Sequence, residues 1–187
     1  YLKIAADKGN KDALYFYQRI GGIDYNALSP REVKRMADDG DVDAMLHYGR
    51  ILLNRYGVEK NMNEAVHYIK MSADNGHSTA MCLYASILLE DKSSNNFKQE
   101  AIKYVKRALN KGDSDAMFLY GNMILSGDIS GVKIDDGVRY IKMSADKGCD
   151  DAMLLYGNMI LSGDISGAKI DDGVRYIKMS ADKGCDD

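Results

Sequence analysis

An all-α solenoid of stacked helix–turn–helix units is the fold class this sequence predicts, and three observations predict it. The triplet Asp43-Ala44-Met45 returns as Thr79-Ala80-Met81, Asp115-Ala116-Met117 and Asp151-Ala152-Met153, each step being 36 residues. A period of that length marks a repeat architecture. Within each period lie two helical patterns, and a lone pair of helices cannot bury its apolar faces without neighbours. Glycines then recur at fixed places where helices must stop.

The elements follow in chain order. Residues 1–11 read as the C-terminal part of a cut repeat, because Tyr1 aligns with Tyr140 in the middle of a helix. Repeat 1 spans 12–42 and opens at Asp12-Ala13-Leu14. Its Ser29-Pro30-Arg31-Glu32 combines an N-cap serine, a proline at the first helical position and a capping-box glutamate. Repeats 2 to 5 span 43–78, 79–114, 115–150 and 151–186, and the last two match at 34 of 36 positions, differing only at Phe118/Leu154 and Val132/Ala168.

In repeat 4 the first helix, Asp115 to Leu125, is apolar almost all round, as befits a helix buried on more than one side. Ser126-Gly127 stops it. The second, Asp135 to Lys147, is amphipathic, with Val138, Ile141 and Ala145 at i, i+3 and i+7. Gly148 ends it, matched by Gly9, Gly40, Gly76, Gly112 and Gly184. Small residues form columns where helices must approach closely: Gly49, Ala85, Gly121 and Gly157 in one, Ser72, Ser144 and Ser180 in another. Tyrosines form two more, one of Tyr48, Tyr84, Tyr120 and Tyr156, the other of Tyr68, Tyr104, Tyr140 and Tyr176. These columns read as packing ladders.

Composition narrows the function. A chain of 187 residues is long enough for a sizeable core. No apolar run approaches the roughly 18 residues that span a membrane. The formal charge of −3 offers no basic field for nucleic acid or anionic lipid. Residues 115–187 are the acidic part, with 8 Lys/Arg against 13 Asp. Cys82, Cys149 and Cys185 make no even framework, and neither a glycosylation sequon nor a signal-peptide pattern is present, which favours the cytoplasm.

The pattern Ala-x-x-x-Tyr-Gly, then Gly-Val, then Glu-Ala-x-x-Tyr-Ile-Lys-x-Ser-Ala-x-x-Gly resembles the Sel-one-like repeat, a relative of the tetratricopeptide repeat. Its clearest copy runs from Ala44 to Gly76, with Tyr48-Gly49, Gly57-Val58, Glu64-Ala65, Tyr68 and Ser72-Ala73 in register. Gly131-Val132 and Gly167-Ala168 sit two places late, the turn from Glu90 to Asn96 lacks glycine, and Gly137 and Gly173 stand where the pattern has alanine. The resemblance implies a right-handed superhelix and a non-catalytic adaptor that holds other proteins on its concave surface. It implies too that the first helix of each repeat lines that surface.

Under that reading three columns face the groove: Phe16, His47, Leu83, Leu119, Leu155; then Arg19, Arg50, Ser86, Asn122, Asn158; then Asn54, Glu90, Ser126, Ser162. Arg19, Arg50 and His47 suit an acidic peptide. Leu83, Leu119 and Leu155 suit a partner helix, or else pack against the next pair.

Gly127-Asp128-Ile129-Ser130-Gly131 looks most like a site for chemistry, yet no glutamate completes a calcium loop and no Lys-Ser/Thr pair opens the helix after it. Asp135 and Asp136 favour the helix N-terminus through its dipole instead. Cys149 and Cys185 occupy equivalent places on helices about 8–10 Å apart, beyond the roughly 7 Å a disulfide tolerates, and so stay reduced. His47, His67 and His77 form no metal motif, and no nucleophile elbow or phosphate-binding loop is present. No metal or cofactor is expected.

An interaction scaffold is therefore the leading expectation. A structural spacer is the alternative, favoured by the near-identity of repeats 4 and 5, and an enzyme is the remote third. Neither end carries an atypical capping unit, so the chain is expected to be a piece of a longer one and prone to end-to-end self-association.

Overall fold

The computed structural model describes residues 23–54, 61–90 and 95–184, among which every regular element is helical. Gly9, Gly57-Val58, Cys185 and most of the glycine-free turn after Glu90 lie outside the described residues. The chain divides into two compact units, Tyr1–Ala65 and Val66–Asp187.

In the first unit a 3-10 turn (Tyr25–Ala27) leads into α1 (Pro30–Asp38) and α2 (Val42–Asn54), which pack together. The capping box expected of Ser29 forms: Glu32 N–H donates to the Ser29 hydroxyl oxygen, and Ser29 N–H donates to Glu32 at 2.9 Å. Helix α1 buries Val33, Met36 and Ala37 at i, i+3, i+4, and α2 answers with Ala44, Met45, Tyr48 and Leu52. Asp41 caps α2 by accepting Ala44 N–H at 2.8 Å, and it also accepts the Tyr25 hydroxyl proton at 2.9 Å. Ala65, at the end of this unit, lies near the start of α3 (Met62–Asp74).

In the second unit the remainder of α3 is followed by three helix pairs: α4 (Ser78–Glu90) with α5 (Asn95–Leu109), α6 (Ser114–Leu125) with α7 (Ile134–Asp146), and α8 (Asp150–Leu161) with α9 (Ile170–Gly184). Each pair packs face to face, and successive pairs stack through α5 on α6 and α7 on α8. The two helices expected in repeat 4 begin and end within a residue of those observed. Helix ends repeat one geometry. After α7, Gly148 takes φ 95°, its N–H donates to Ala145 C=O, and Cys149 N–H reaches back to Ser144 C=O. Glycine reaches that left-handed conformation without the penalty a Cβ imposes.

The small-residue columns have a structural cause. A Cβ on Gly121 would lie 2.7 Å from Ile141 Cδ1 and 3.0 Å from Gly137 O, and one on Gly137 would lie 3.2 Å from Gly121 O. Helices α6 and α7 therefore cross backbone to backbone at a glycine pair, and Gly157 with Gly173 repeats the crossing in α8 and α9. The Gly137 and Gly173 departures are thus partners of the Gly121 and Gly157 column. The two tyrosine columns interlock within each pair. Tyr84–Tyr104, Tyr120–Tyr140 and Tyr156–Tyr176 meet edge to face at 4.9, 5.0 and 5.1 Å, a preferred aromatic geometry.

Polar rungs join one repeat to the next. Tyr104 donates to Asp74 at 2.5 Å while Lys70 reaches Asp74 at 2.8 Å and Tyr104 at 3.0 Å. Two repeats on, Tyr176 and Lys142 both donate to Asp146. Burial pushes the Asp74 and Asp146 carboxyls up, but the lysine ammonium and tyrosine hydroxyl outweigh it and hold both below the usual range. Between these rungs Asn110 replaces the aspartate, and among the described residues no bond joins it to Tyr140. Asn110→Asp is therefore expected to complete a rung with Lys106 and Tyr140. It should stabilise the chain by about 0.5–1 kcal/mol, read as a melting temperature raised by about 2 °C.

Candidate functional site

Among the described residues the first helices α2, α4, α6 and α8 carry the three candidate columns at i, i+3 and i+7, a spacing that places them on one face of each helix or at its C-cap. In the first unit His47 is half-buried and stacks on Tyr25 with ring centroids 4.6 Å apart, while Arg50 and Asn54 are exposed. Phe16 and Arg19 lie outside the described residues. Of the cationic set expected there, Arg50 is therefore the described side chain standing in solvent.

In the second unit Leu83, Leu119 and Leu155 are each half-buried. Their neighbours on the same helices, such as Met81, Met117 and Met153, are all but sealed in the core. Leu155 packs in part against the cluster around Ile141, Met153 and Tyr156. The leucine column is thus both packing and partly accessible surface. Ser86 and Asn122 are half-buried; Glu90 and Asn158 are exposed. The side-chain amides of Asn122 and Asn158 make no hydrogen bond among the described residues.

Ser126 and Ser162 are exposed but occupied locally. Ser126 Oγ lies 3.2 Å from Met123 O and 2.6 Å from an Asp128 carboxylate oxygen, and Ser162 does the same with Met159 and Asp164. These hydroxyls close the turn after the helix, because the last carbonyls of a helix need partners. Asp128 is drawn further into structure by Lys98, whose ammonium lies 2.6 Å away. The turn that looked most like an ion loop is held together by that pair and its serine. Among the described residues no group of three His, Cys, Asp or Glu side chains is placed to hold a metal ion.

Sequence reading passed over the head of each column. Asp115 and Asp151 are exposed, one turn before Leu119 and Leu155 on the same helical face. The signal was available at the i−4 position. Cys82 is buried and Cys149 half-buried, both free. Burial first, then nearby carboxylates such as Asp115, push both thiols up, so neither is an activated nucleophile.

The Sel1 repeat profile matches residues 42–77, 78–113, 114–149 and 150–185. The chain belongs to the Sel1 repeat family. Among solved structures it is similar to a protective antigen of uropathogenic Escherichia coli displaying an SLR fold, at 20% identity and TM-score 0.69, over 97% of this chain and 44% of that one. The chain thus spans less than half the length of that relative. It is similar also to a Sel1 repeat protein of Oxalobacter formigenes (24% identity, TM-score 0.68, 97% of this chain and 79% of that one). An immunity protein of Pseudomonas aeruginosa shares the fold at 14% identity and TM-score 0.60, over 83% of this chain and 57% of that one. No curated protein sequence matches. These likenesses support the solenoid of helix pairs. Sel1 repeat proteins generally mediate protein–protein interaction and, as a class, act as non-catalytic scaffolds. No helix among the described residues is long and apolar enough to cross a membrane.

Proposed function

We propose that this chain is an interaction scaffold, non-catalytic, that holds a partner protein segment against the open face of the first helices of its repeats. The observation that carries the reading is the in-register partial exposure of Leu83, Leu119 and Leu155 on three successive first helices. Partner helices and peptides dock on such apolar strips. A reducing compartment, the cytoplasm, fits Cys82 and Cys149, neither of which is in a disulfide.

Immobilised chain and two variants, tested against a cell lysate, examine the reading. Leu119→Gln/Leu155→Gln alters the open face; Arg139→Gln/Arg175→Gln alters exposed positions on the second helices. The leucine variant should lose proteins that the wild type retains, and the arginine variant should keep them. Equal recovery on all three would remove the open face from consideration and leave the spacer reading.

A further inference from the structure

Asn122 and Asn158 pose a chemical question that packing does not answer. Asparagine is a poor helix-interior residue, about 0.7 kcal/mol worse than alanine, because its side chain competes for backbone hydrogen bonds. Each sits in the last turn of a first helix, α6 and α8, at the same register, its carbonyl accepting the N–H of the capping serine. Neither amide finds a partner among the described residues. Asn158 is exposed and Asn122 half-buried, so both remain open to a ligand.

An amide side chain offers two donors and an acceptor, the complement of a peptide main-chain unit. Helices α6 and α8 are successive first helices, stacked through α7. A polyproline II segment repeats every three residues at about 3.1 Å each, and its N–H and C=O groups are unpaired within the segment. Residues i and i+3 of such a segment therefore return to the same side about 9 Å apart, so one segment can offer a main-chain unit to each of the two amides.

Charge selects the sequence of that segment. The exposed Asp115 and Asp151 stand one turn before Leu119 and Leu155 on the same face, and no cationic residue occupies the candidate columns of the second unit. Leu119 and Leu155, half-buried, supply apolar contact between the carboxylates and the amides. We infer that Asn122 and Asn158 hold the main chain of an extended, lysine- or arginine-bearing peptide across α6 and α8, with Asp115 and Asp151 pairing its cations. The inference rests on the open-face reading and names its ligand chemistry.

The test uses the full chain and two fluorescein-labelled peptides, (Lys-Pro-Leu)4 and (Glu-Pro-Leu)4, with binding read by fluorescence anisotropy. The lysine peptide should bind the wild type, and the glutamate peptide should bind at least about tenfold more weakly. Asn122→Ala/Asn158→Ala should weaken the lysine peptide about tenfold, the loss expected for two or more hydrogen bonds. Its melting temperature should not fall, since alanine is the better helix former. Unchanged affinity in the asparagine variant, equal binding of both peptides, or no binding of the lysine peptide to the wild type would each overturn the inference. Leu119→Gln/Leu155→Gln separates the two levels. If that variant loses the lysine peptide while the asparagine variant keeps it, the amide role fails and the open face stands. If neither variant loses it, both fail.

Discussion

Gly121→Leu is expected to lower stability by about 3 kcal/mol, near the top of the usual overpacking range. The reason is geometric. Even a Cβ at this position would approach Ile141 Cδ1 to 2.7 Å, Ile141 Cγ1 to 2.9 Å and the Gly137 carbonyl oxygen to 3.0 Å. The isoleucine tip can turn away, but the carbonyl belongs to the α7 backbone and moves only if the helices part. Parting them would open the contact around Ile141 and the edge-to-face Tyr120–Tyr140 pair. Leucine's better helix propensity returns at most about 1 kcal/mol, so the clash decides the sign. Thermal melting should show a drop of about 10 °C for a chain of this size. A leucine variant melting within about 2 °C of the wild type would show that the crossing is not close-packed in solution. Gly157→Leu should behave alike, because a Cβ on Gly157 would meet Ile177 at 2.7 Å and Gly173 O at 2.9 Å.

That small-residue column was legible in the sequence because glycine or alanine recurred at 36-residue steps, and only packing needs smallness at a fixed register. What did not show was its partner. Gly137 and Gly173 looked like departures from a helix alanine until α6 and α7 were seen to cross there. The tyrosine–aspartate rungs were hidden for a related reason: Tyr104 and Asp74, or Tyr176 and Asp146, are 30 residues apart and in different repeats, and a period says nothing about which column touches which. At the candidate face, the helical spacing alone gathers Leu119 and Asn122 onto one side of α6. It could not tell Ser126, tied into its turn by Asp128, from Asn122, whose amide is uncommitted, because the distinction depends on how the chain leaves the helix. The basic groove expected from Arg19, Arg50 and His47 is described only at Arg50 and His47, and there His47 is stacked on Tyr25.

Ile141→Ala should be as damaging as overpacking, for the opposite reason, and the two changes should cancel in part. Ile141 is fully buried in one cluster with Ala145, Ala152, Met153, Tyr156, Ile160 and Tyr176, and its tip faces Gly121 of α6. Removing its outer carbons leaves a cavity walled by residues of three helices, which cannot all collapse inward at once. The expected cost is about 3–4 kcal/mol. Gly121→Ala alone is also expected to destabilise, since its new methyl would meet Ile141 at 2.7 Å. In the Ile141→Ala background that obstruction is gone, and the closest remaining neighbour is the Gly137 oxygen at 3.0 Å. The methyl then occupies part of the cavity and contributes alanine's helix preference over glycine, about 1 kcal/mol. Gly121→Ala should thus change sign, from destabilising in the wild type to neutral or stabilising in the Ile141→Ala background, with a coupling of about 1–2 kcal/mol. Urea denaturation of the four proteins in the cycle measures it. Strict additivity would mean that Gly121 and Ile141 do not share the same space, and the packing reason for the small-residue column would fall with it.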